Sequence, residues 1–265
     1  MELYITRHGQ TRGNIEHFFQ GQMEGELTPV GCEQAKKFGN FYRNLTFDEI
    51  YCSDLLRAKK TLEIILEQNL HEENKKLIKY TQVLREINGK SIEYKPLSVE
   101  SKLRNNPSGR FRFNSTGEGD ETMIDLFYRM SQFIDELIRK NISKDYSSGI
   151  TKENVYKLNE EANNISYDDF INLWKQGKLT NNTNWDDEIK VKKIFILCHW
   201  GPIFEIFNNI LLRTRKCVVP VRAGTSNTSL NIIRIYPKEK NICVKSDEDI
   251  IYSIRTLDDI THLNK

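Results

Sequence analysis

The order of apolar and polar positions divides the chain into short strands that alternate with amphipathic helices. Four short stretches rich in apolar and β-branched residues predict strands: residues 3–5, 47–51, 191–197 and 229–235. Apolar residues at helical spacing predict four helices: residues 29–45, 55–66, 123–138 and 202–212. Strands and helices that alternate in this way predict an α/β fold.

Capping residues mark the beginnings of the predicted helices. Thr28 before Pro29 is typical of a helix N-cap followed by proline at the first helical position. Ser53 or Asp54 is expected to cap the helix that follows. That start would place Arg57 in the first turn, where its guanidinium and the helix N-terminus can bind the same anion.

Three segments have weaker patterns. Residues 80–84 form a short strand-like run, and residues 241–244 are predicted as an edge strand. The tail over 254–263 has a mixed pattern that predicts no single element.

One stretch differs in composition from the rest of the chain. From 141 to 190 the sequence is rich in Asn, Asp, Glu, Lys and Ser. We interpret this stretch as an insertion with one or two helices and a loose tip at about 180–187. At 265 residues the chain can bury a sizeable core, and we predict a single domain over 1–265 that carries the insertion.

The charge balance narrows the classes of partner. The net charge is +2 with 29% charged residues, so no global charge favours nucleic acid or a membrane. No secretory signal and no apolar run of transmembrane length occurs. Five scattered cysteines without a C-x-x-C pair are typical of reduced thiols. We expect a cytoplasmic protein, a monomer or weak homodimer, that binds neither nucleic acid nor membrane.

Two of the apolar runs end in histidine. The first continues into Arg7-His8-Gly9, and the other, far along the chain, leads to His199. In α/β sheets, ligands bind just past the carboxyl ends of the strands. A permanent cation, a group that titrates near neutrality and a residue that lets backbone approach a ligand together favour an anion such as phosphate.

Four motifs occur in an order that is typical of one family. They are R-H-G-x-T-x-x-N from Arg7, S-D-L-x-R-A-x-x-T from Ser53, L-R-E ending at Glu86, and the strand that leads to His199. Together they resemble the histidine phosphatase superfamily, which has the phosphoglycerate-mutase-like fold. The resemblance implies a three-layer α/β/α sandwich with a mostly parallel sheet. It also implies that the helical insertion lies near the active site as a partial cap.

The resemblance implies a role for each residue of these motifs. His8 is the expected nucleophile, because neutral imidazole attacks phosphoryl groups, and a backbone carbonyl is expected to hold its other ring nitrogen. Arg7 and Arg57 are expected to clamp the phosphoryl oxygens. His199 is expected to face His8 across the phosphate, and Glu86 to act first as general acid and then as general base.

Further residues complete the expected substrate pocket. By resemblance, Asn14, Gln20 and Gly21 line it. Trp200 stands where the family usually has glycine, and its ring would narrow the pocket or form part of its wall. In the loop after Glu86, Gly89 lies one residue earlier in the sequence than the glycine of the family. No metal and no other cofactor is expected, because the arginines and histidines supply the positive charge.

Several positions favour one branch of the family. Phosphoglycerate mutases carry Trp before the Asn of the first motif, and here Gly13 precedes Asn14. The long insertion and several segments resemble TIGAR-type fructose-2,6-bisphosphatases: residues 20–22, 53–55, 84–98, 120–122, 227–229 and the tail 257–264. This resemblance implies a phosphorylated small-molecule substrate, with fructose 2,6-bisphosphate and 2,3-bisphosphoglycerate as examples.

Other interpretations stay open. A mutase, or a broad-specificity or protein phosphatase of the same family, would share these motifs. A catalytically weak protein that binds a phosphorylated ligand or a protein is the alternative of another class, and Trp200 motivates it. A basic group would meet a second phosphate or lie in a solvated loop: Lys102, Arg104, Arg110 and Arg112. His71 and His262 are expected at the surface, and Glu93 is expected to be structural.

Overall fold

The computed structural model describes residues 1–95, 118–154, 191–215, 226–239 and 242–264. The predicted insertion lies outside the described residues from 155 onward, and so does the basic group at 102–112. Six strands form one sheet in the order β3-β2-β4-β1-β5-β6. They are β1 (Glu2–Arg7), β2 (Glu49–Ser53), β3 (Ile78–Thr81), β4 (Lys193–Cys198), β5 (Leu230–Pro237) and β6 (Ile250–Asp259). Five α-helices are described: α1 (Arg12–Ile15), α2 (Pro29–Phe41), α3 (Leu56–Glu67), α4 (Met123–Asn141) and α5 (Trp200–Arg215).

The sheet is mostly parallel, as the resemblance implies. Strands β3, β2, β4 and β1 pair in parallel, whereas β5 is antiparallel to both β1 and β6. In the pairing of β1 with β4, Arg7 lies opposite Cys198. The residues that follow, His8 and His199, therefore leave the sheet at the same level.

Helices cover both faces of the sheet and give the expected three layers. On one face, α2 and α3 bury Ala35, Phe38 and Leu62 against Tyr4 and Ile50. The period-two alternation of β1 sends Leu3 and Ile5 to the opposite face. There they join one buried cluster with apolar residues of α4 and α5: Met130, Ile134, Ile203 and Phe207.

Of the two helix caps predicted from the sequence, Thr28 is confirmed, and Ser53 or Asp54 is wrong. The Thr28 hydroxyl accepts a hydrogen bond from Gly31 N–H, and Thr122 forms a capping box with Asp125. The N-cap of α3 is Leu55, which makes no side-chain cap hydrogen bond. Ser53 and Asp54 do not cap α3 because their side chains bind other residues, His199 and Arg85.

The other differences lie at element boundaries and in the last part of the chain. The run at 80–84 is a strand only to Thr81 and continues as a 3₁₀ turn over Gln82–Leu84. No strand is present over 242–244, where an edge strand was predicted. One edge of the sheet is instead β6, a ten-residue strand that begins at Ile250 and runs into the tail whose pattern was mixed. Helix α5 begins at Trp200, two residues before the predicted start.

Candidate active site

The two motif histidines meet at the carboxyl ends of β1 and β4. His8 is 2% exposed and His199 is fully buried, and their ring centroids are 5.1 Å apart. The backbone N–H of His8 donates to the carbonyl of Cys198 at 3.1 Å, which continues the β1–β4 pairing by one residue. The parallel register therefore brings together two residues that are far apart in the chain.

The tautomer of His8 follows from its contact with the backbone. His8 Nδ1 lies 2.7 Å from the carbonyl oxygen of Gly9. A carbonyl only accepts, so Nδ1 carries the hydrogen and Nε2 keeps its lone pair. Burial, and then the charges of Arg57 and Arg7, hold the pKa of His8 well below its usual value. The ring is neutral at pH 7, and the expected backbone carbonyl partner is confirmed.

The loop that carries His8 is tightly held. Gly9 N–H donates to the Thr61 hydroxyl at 3.0 Å, and Asn227 Nδ2 donates to the His8 carbonyl at 2.8 Å. A Cβ on Gly9 would lie 2.5 Å from the backbone oxygen of Gly31 at the start of α2. Only glycine allows this approach, so the loop packs directly on α2.

Arg57 lies in the first turn of α3, as predicted, and is 1% exposed. Its two terminal nitrogens donate to the carbonyls of Met23 at 2.9 Å and Gly21 at 2.7 Å. Its Nε is buried without a hydrogen-bond partner among the described residues. Burial lowers the pKa of Arg57 to about 10, so the group stays cationic at pH 7.

Arg7 is the last residue of β1 and supplies a second cation beside His8. Burial lowers the pKa of Arg7, whereas the negative charges of Glu86 and Asp258 raise it. Arg7 and Arg57 also act on both histidines, whose pKa values they lower. The candidate site thus concentrates positive charge around two neutral imidazoles, which favours an anion.

His199 binds the protein through one ring nitrogen. Its Nε2 lies 2.7 Å from the Ser53 hydroxyl oxygen, and its Nδ1 has no partner among the described residues. Burial, followed by the charge of Arg57, holds the pKa of His199 well below its usual value. A buried imidazole nitrogen without a partner can bind an oxygen of an anionic ligand.

Glu86 follows the 3₁₀ turn after β3 and is held by backbone amides. Gly201 N–H donates to both carboxyl oxygens, at 3.0 and 3.2 Å, and Ile87 N–H donates to one at 2.9 Å. Desolvation has the largest effect and raises the pKa of Glu86 above its ordinary value, although these hydrogen bonds and both arginines oppose it. A carboxyl group with a raised pKa can carry a proton to a leaving group.

The residues predicted to line the pocket hold its loops. Asn14 Oδ1 accepts from Thr11 N–H at 3.0 Å, and Gln20 Oε1 accepts from the Thr11 hydroxyl at 2.8 Å. Gly13, at the position where mutases have Trp, leaves the space that the Gln20 side chain fills. Gly21 has φ +50° and contributes its carbonyl to Arg57.

The half-buried ring of Trp200 lies against its own helix. It stacks on Phe204 with centroids 5.1 Å apart and an interplanar angle of 15°. This stacking accommodates a large side chain where the family usually has glycine.

One prediction about histidine location is wrong. His262 is 1% exposed, and its Nε2 lies 3.0 Å from the Thr228 hydroxyl. It is buried because the residues after β6 fold back onto α2, where its ring contacts Phe38. Glu93 has the structural role that was expected, since its carboxylate accepts from Gln22 N–H at 3.0 Å.

The sequence did not reveal four residues that hold the site: Ser53, Thr61, Gly201 and Asn227. Ser53 and Thr61 begin and end the quoted S-D-L-x-R-A-x-x-T motif, which was the available indication of a role. The Asn227 contact joins segments that are far apart in the chain.

Two kinds of feature are absent from the described residues. No group of three or more His, Cys, Asp or Glu side chains is arranged to hold a metal ion in the described ranges. In that same part of the chain, no helix has both the length and the apolar character needed to cross a bilayer.

Known sequences match about half of the chain. The Xenopus tropicalis protein named fructose-2,6-bisphosphatase TIGAR is 38% identical over 138 residues, which are 52% of this chain and 50% of the relative. A broad-specificity phosphatase of Saccharomyces cerevisiae is 31% identical over 126 residues, 47% of this chain and 54% of the relative. The chain thus spans about half the length of the curated relatives it matches.

The fold is shared over a longer stretch than the sequence. The crystal structure of phosphoglycerate mutase from Bacillus anthracis superimposes with a TM-score of 0.61 at 18% identity, covering 100% of this chain and 96% of the mutase. The sequence profile described as histidine phosphatase superfamily (branch 1) matches residues 3–147, which include Arg7, His8, Arg57 and Glu86. The chain belongs to the histidine phosphatase superfamily.

Proposed function

We propose that this protein is a phosphatase that hydrolyses phosphate monoesters through a phosphohistidine at His8. The observation that carries the proposal is the neutral His8 ring, whose Nδ1 is held by the Gly9 carbonyl and whose Nε2 keeps its lone pair. Neutral imidazole is the nucleophilic form. Burial, followed by the charges of Arg57 and Arg7, lowers the pKa of His8 and so keeps its ring neutral.

In the first step, His8 Nε2 forms a bond to phosphorus and the bond to the ester oxygen breaks. The electron pair goes to the leaving alkoxide, which takes a proton from the Glu86 carboxyl group. Arg7, Arg57 and His199 Nδ1 hold the phosphoryl oxygens as charge develops. The raised pKa of Glu86 supports its role as the proton donor.

In the second step, water attacks phosphohistidine. The Glu86 carboxylate takes a proton from the water, the new oxygen–phosphorus bond forms, and the nitrogen–phosphorus bond breaks. His8 recovers its lone pair, and inorganic phosphate leaves. Because Arg7 and Arg57 supply the positive charge, the proposed cycle uses no metal or other cofactor.

The proposed substrates are small phosphorylated metabolites, in particular sugar bisphosphates such as fructose 2,6-bisphosphate, or 2,3-bisphosphoglycerate. The relative whose printed name is fructose-2,6-bisphosphatase supports this class, and the yeast relative supports a broader range of phosphate esters. Gly13 and the Gln20 side chain that fills its space favour hydrolysis over mutase activity.

The test is phosphate release from a panel of esters in the presence of a chelator. The panel contains fructose 2,6-bisphosphate, fructose 1,6-bisphosphate, 2,3-bisphosphoglycerate and nitrophenyl phosphate. We expect preference for one bisphosphate and no acid-labile phosphoenzyme in His8→Ala. Turnover retained by His8→Ala would refute the mechanism. Tight binding of a phosphorylated sugar without phosphate release would instead favour the binding-protein alternative.

Glu86→Gln separates the two steps. The variant cannot supply or accept the proton, so we expect alkyl esters to turn over roughly 10²–10⁴-fold more slowly. Phosphohistidine should still accumulate from nitrophenyl phosphate, because nitrophenolate leaves without a proton. Normal turnover of a sugar phosphate by this variant would mean that another group is the acid.

A further inference from the structure

Gly201, the second residue of α5, makes a contact that no motif assigned. Its backbone N–H donates to both carboxyl oxygens of Glu86, at 3.0 and 3.2 Å. The carboxyl group therefore lies directly on the N-terminus of α5, where the unsatisfied amides of the first turn favour negative charge.

The absence of a side chain at Gly201 leaves the space that the Glu86 carboxyl group occupies. A Cβ at this position would overlap Glu86 Oε1, and it would lie 3.3 Å from Glu86 Cδ and 2.9 Å from Leu126 Cδ2. The site of overlap is the carboxyl group itself, so any larger residue must displace that group.

The backbone of Glu86 cannot follow such a displacement easily. Gln22 Nε2 donates to the Glu86 carbonyl at 3.1 Å. Arg129 donates to the carbonyls of Val83 at 2.6 Å and Arg85 at 2.9 Å. With both sides of the segment held, the side chain can adapt only by rotating away from its present position.

We propose that Gly201 is a positioning residue for proton transfer, which fixes the Glu86 carboxyl group through its N–H and through the absence of a Cβ. The inference rests on the proposed function, because it assigns Glu86 to proton transfer. It also explains the local sequence. Trp200 occupies the position where the family usually has glycine, and in this chain the glycine that faces Glu86 is the next residue.

The test is Gly201→Ala, assayed with a sugar phosphate and with nitrophenyl phosphate. Alanine is favoured over glycine in a helix by about 1 kcal/mol, so the helix itself should tolerate the change. We expect release of the sugar alkoxide to slow by roughly 10- to 100-fold, because it needs the proton. The phosphorylation step with nitrophenyl phosphate, followed as the burst of nitrophenolate, should change less than threefold. Equal losses with both substrates would overturn the proposal.

A double-mutant cycle shows whether Gly201 acts through Glu86. In the Glu86→Gln background, Gly201→Ala should cause no further loss with the sugar phosphate. A further tenfold loss there would refute the proposal. Gly201→Ala with Leu126→Ala removes the second overlap but keeps the one with Glu86. Recovery of activity in that double variant would assign the effect to helix packing and would also refute it.

A readout without turnover separates this inference from the proposed function. The Glu86 carboxyl carbon can be followed by NMR during a pH titration and assigned by its loss in Glu86→Gln. We expect Gly201→Ala to raise the pKa of Glu86, because the N–H bonds that favour the carboxylate are lost. An unchanged titration would overturn the inference. A wild-type protein that releases no phosphate, but whose Glu86 titration shifts in the variant, would refute the proposed function and leave only the positioning of the Glu86 carboxyl group by Gly201.

Discussion

At the scale of single residues, His8 and His199 are held in the same way by different partners. Each binds the protein through one nitrogen and leaves the other for a ligand. The partner of His8 is a carbonyl, which fixes one tautomer. The partner of His199 is the Ser53 hydroxyl, which can either donate or accept. Ser53 therefore lets His199 Nδ1 carry a hydrogen towards a phosphoryl oxygen.

Ser53→Ala is predicted to lower phosphate release by about 5- to 10-fold. Loss of one hydrogen bond of about 1 kcal/mol leaves the His199 ring without a fixed orientation. Steady-state kinetics should show the loss mainly in kcat. Thr81→Ala is the matched control, because Thr81 pairs with Ser53 in the sheet and its hydroxyl accepts from Val83 N–H. A control that lost as much activity would contradict the assignment.

Residues were predictable where their chemistry followed a strand end. His8 and His199 could be placed together because parallel strands share one edge for their carboxyl ends. Ser53 could not be assigned, since a serine before a helix is equally typical of a cap. Its partner, His199, follows a different strand, so the residues around Ser53 in the sequence do not indicate this contact.

At the scale of elements, α5 carries a row of polar or small residues on the side that faces α4. The row repeats every fourth position: Gly201, Glu205, Asn209 and Arg213. Asn209 donates to the Phe127 carbonyl at 3.1 Å, and Arg213 binds Asp135 at 2.7 Å. Glu205 is 3% exposed and accepts from Asn208 at 3.1 Å. Burial raises the pKa of Glu205 to about 8.

Glu205→Gln is predicted to stabilise the protein above pH 5. The folded state keeps a proton that the unfolded state releases at pH 4.5 and above, so stability falls as the pH rises from 4.5 to 8. The variant should lack this slope and gain roughly 1–3 kcal/mol in free energy of unfolding at pH 7. Denaturant unfolding at pH 5 and pH 8 measures how the free energy of unfolding of each protein changes with pH. Glu136→Gln makes the same change on the exposed face of α4, and an equal gain there would contradict the prediction.

Elements were predictable where periodicity and caps agreed. Thr122 and the apolar spacing after it locate α4 to within a few residues at its end. The first half of strand β6, residues 250–254, is a buried run of mostly apolar residues that could have been predicted, whereas its second half, from Arg255 to Asp259, is polar or partly exposed. Its place in the sheet depends on pairing with β5, which is a tertiary contact and not a local preference.

At the scale of the whole molecule, the last residues of the described chain support the first loop. His262 binds the Thr228 hydroxyl at 3.0 Å, and Thr228 N–H donates to the Arg7 carbonyl at 3.1 Å. Thr228 has φ +59°, a strained conformation for a β-branched residue. Its neighbour Asn227 binds the His8 carbonyl. The contact of His262 thus helps to hold the turn that supports the proposed nucleophile.

His262→Ala is predicted to cost about 1–3 kcal/mol of stability at pH 7, because the buried Thr228 hydroxyl loses a partner. Phosphate release should fall several-fold.

Burial lowers the pKa of His262 to about 4. The stability that depends on its neutral ring is therefore present above pH 6.5 and lost as the pH falls towards 4. Unfolding at pH 7 and pH 5 should show a smaller difference in the variant. The surface variant His71→Ala should match wild type, and a similar loss there would argue against a special role for His262.

The position of β1 in the sheet has a consequence for biosynthesis. Glu2 pairs with Lys193 on one side and with Arg234 on the other. Of the six strands, β1 is translated first, and its neighbours β4 and β5 exist only after β2, β3 and the residues between them and Lys193 have been made. Until then, Leu3, Tyr4 and Ile5 have no sheet to join, and a nascent chain in this state is a natural client for chaperones. His199 follows β4, so a translation product that ends before it would carry the proposed nucleophile His8 without its partner histidine.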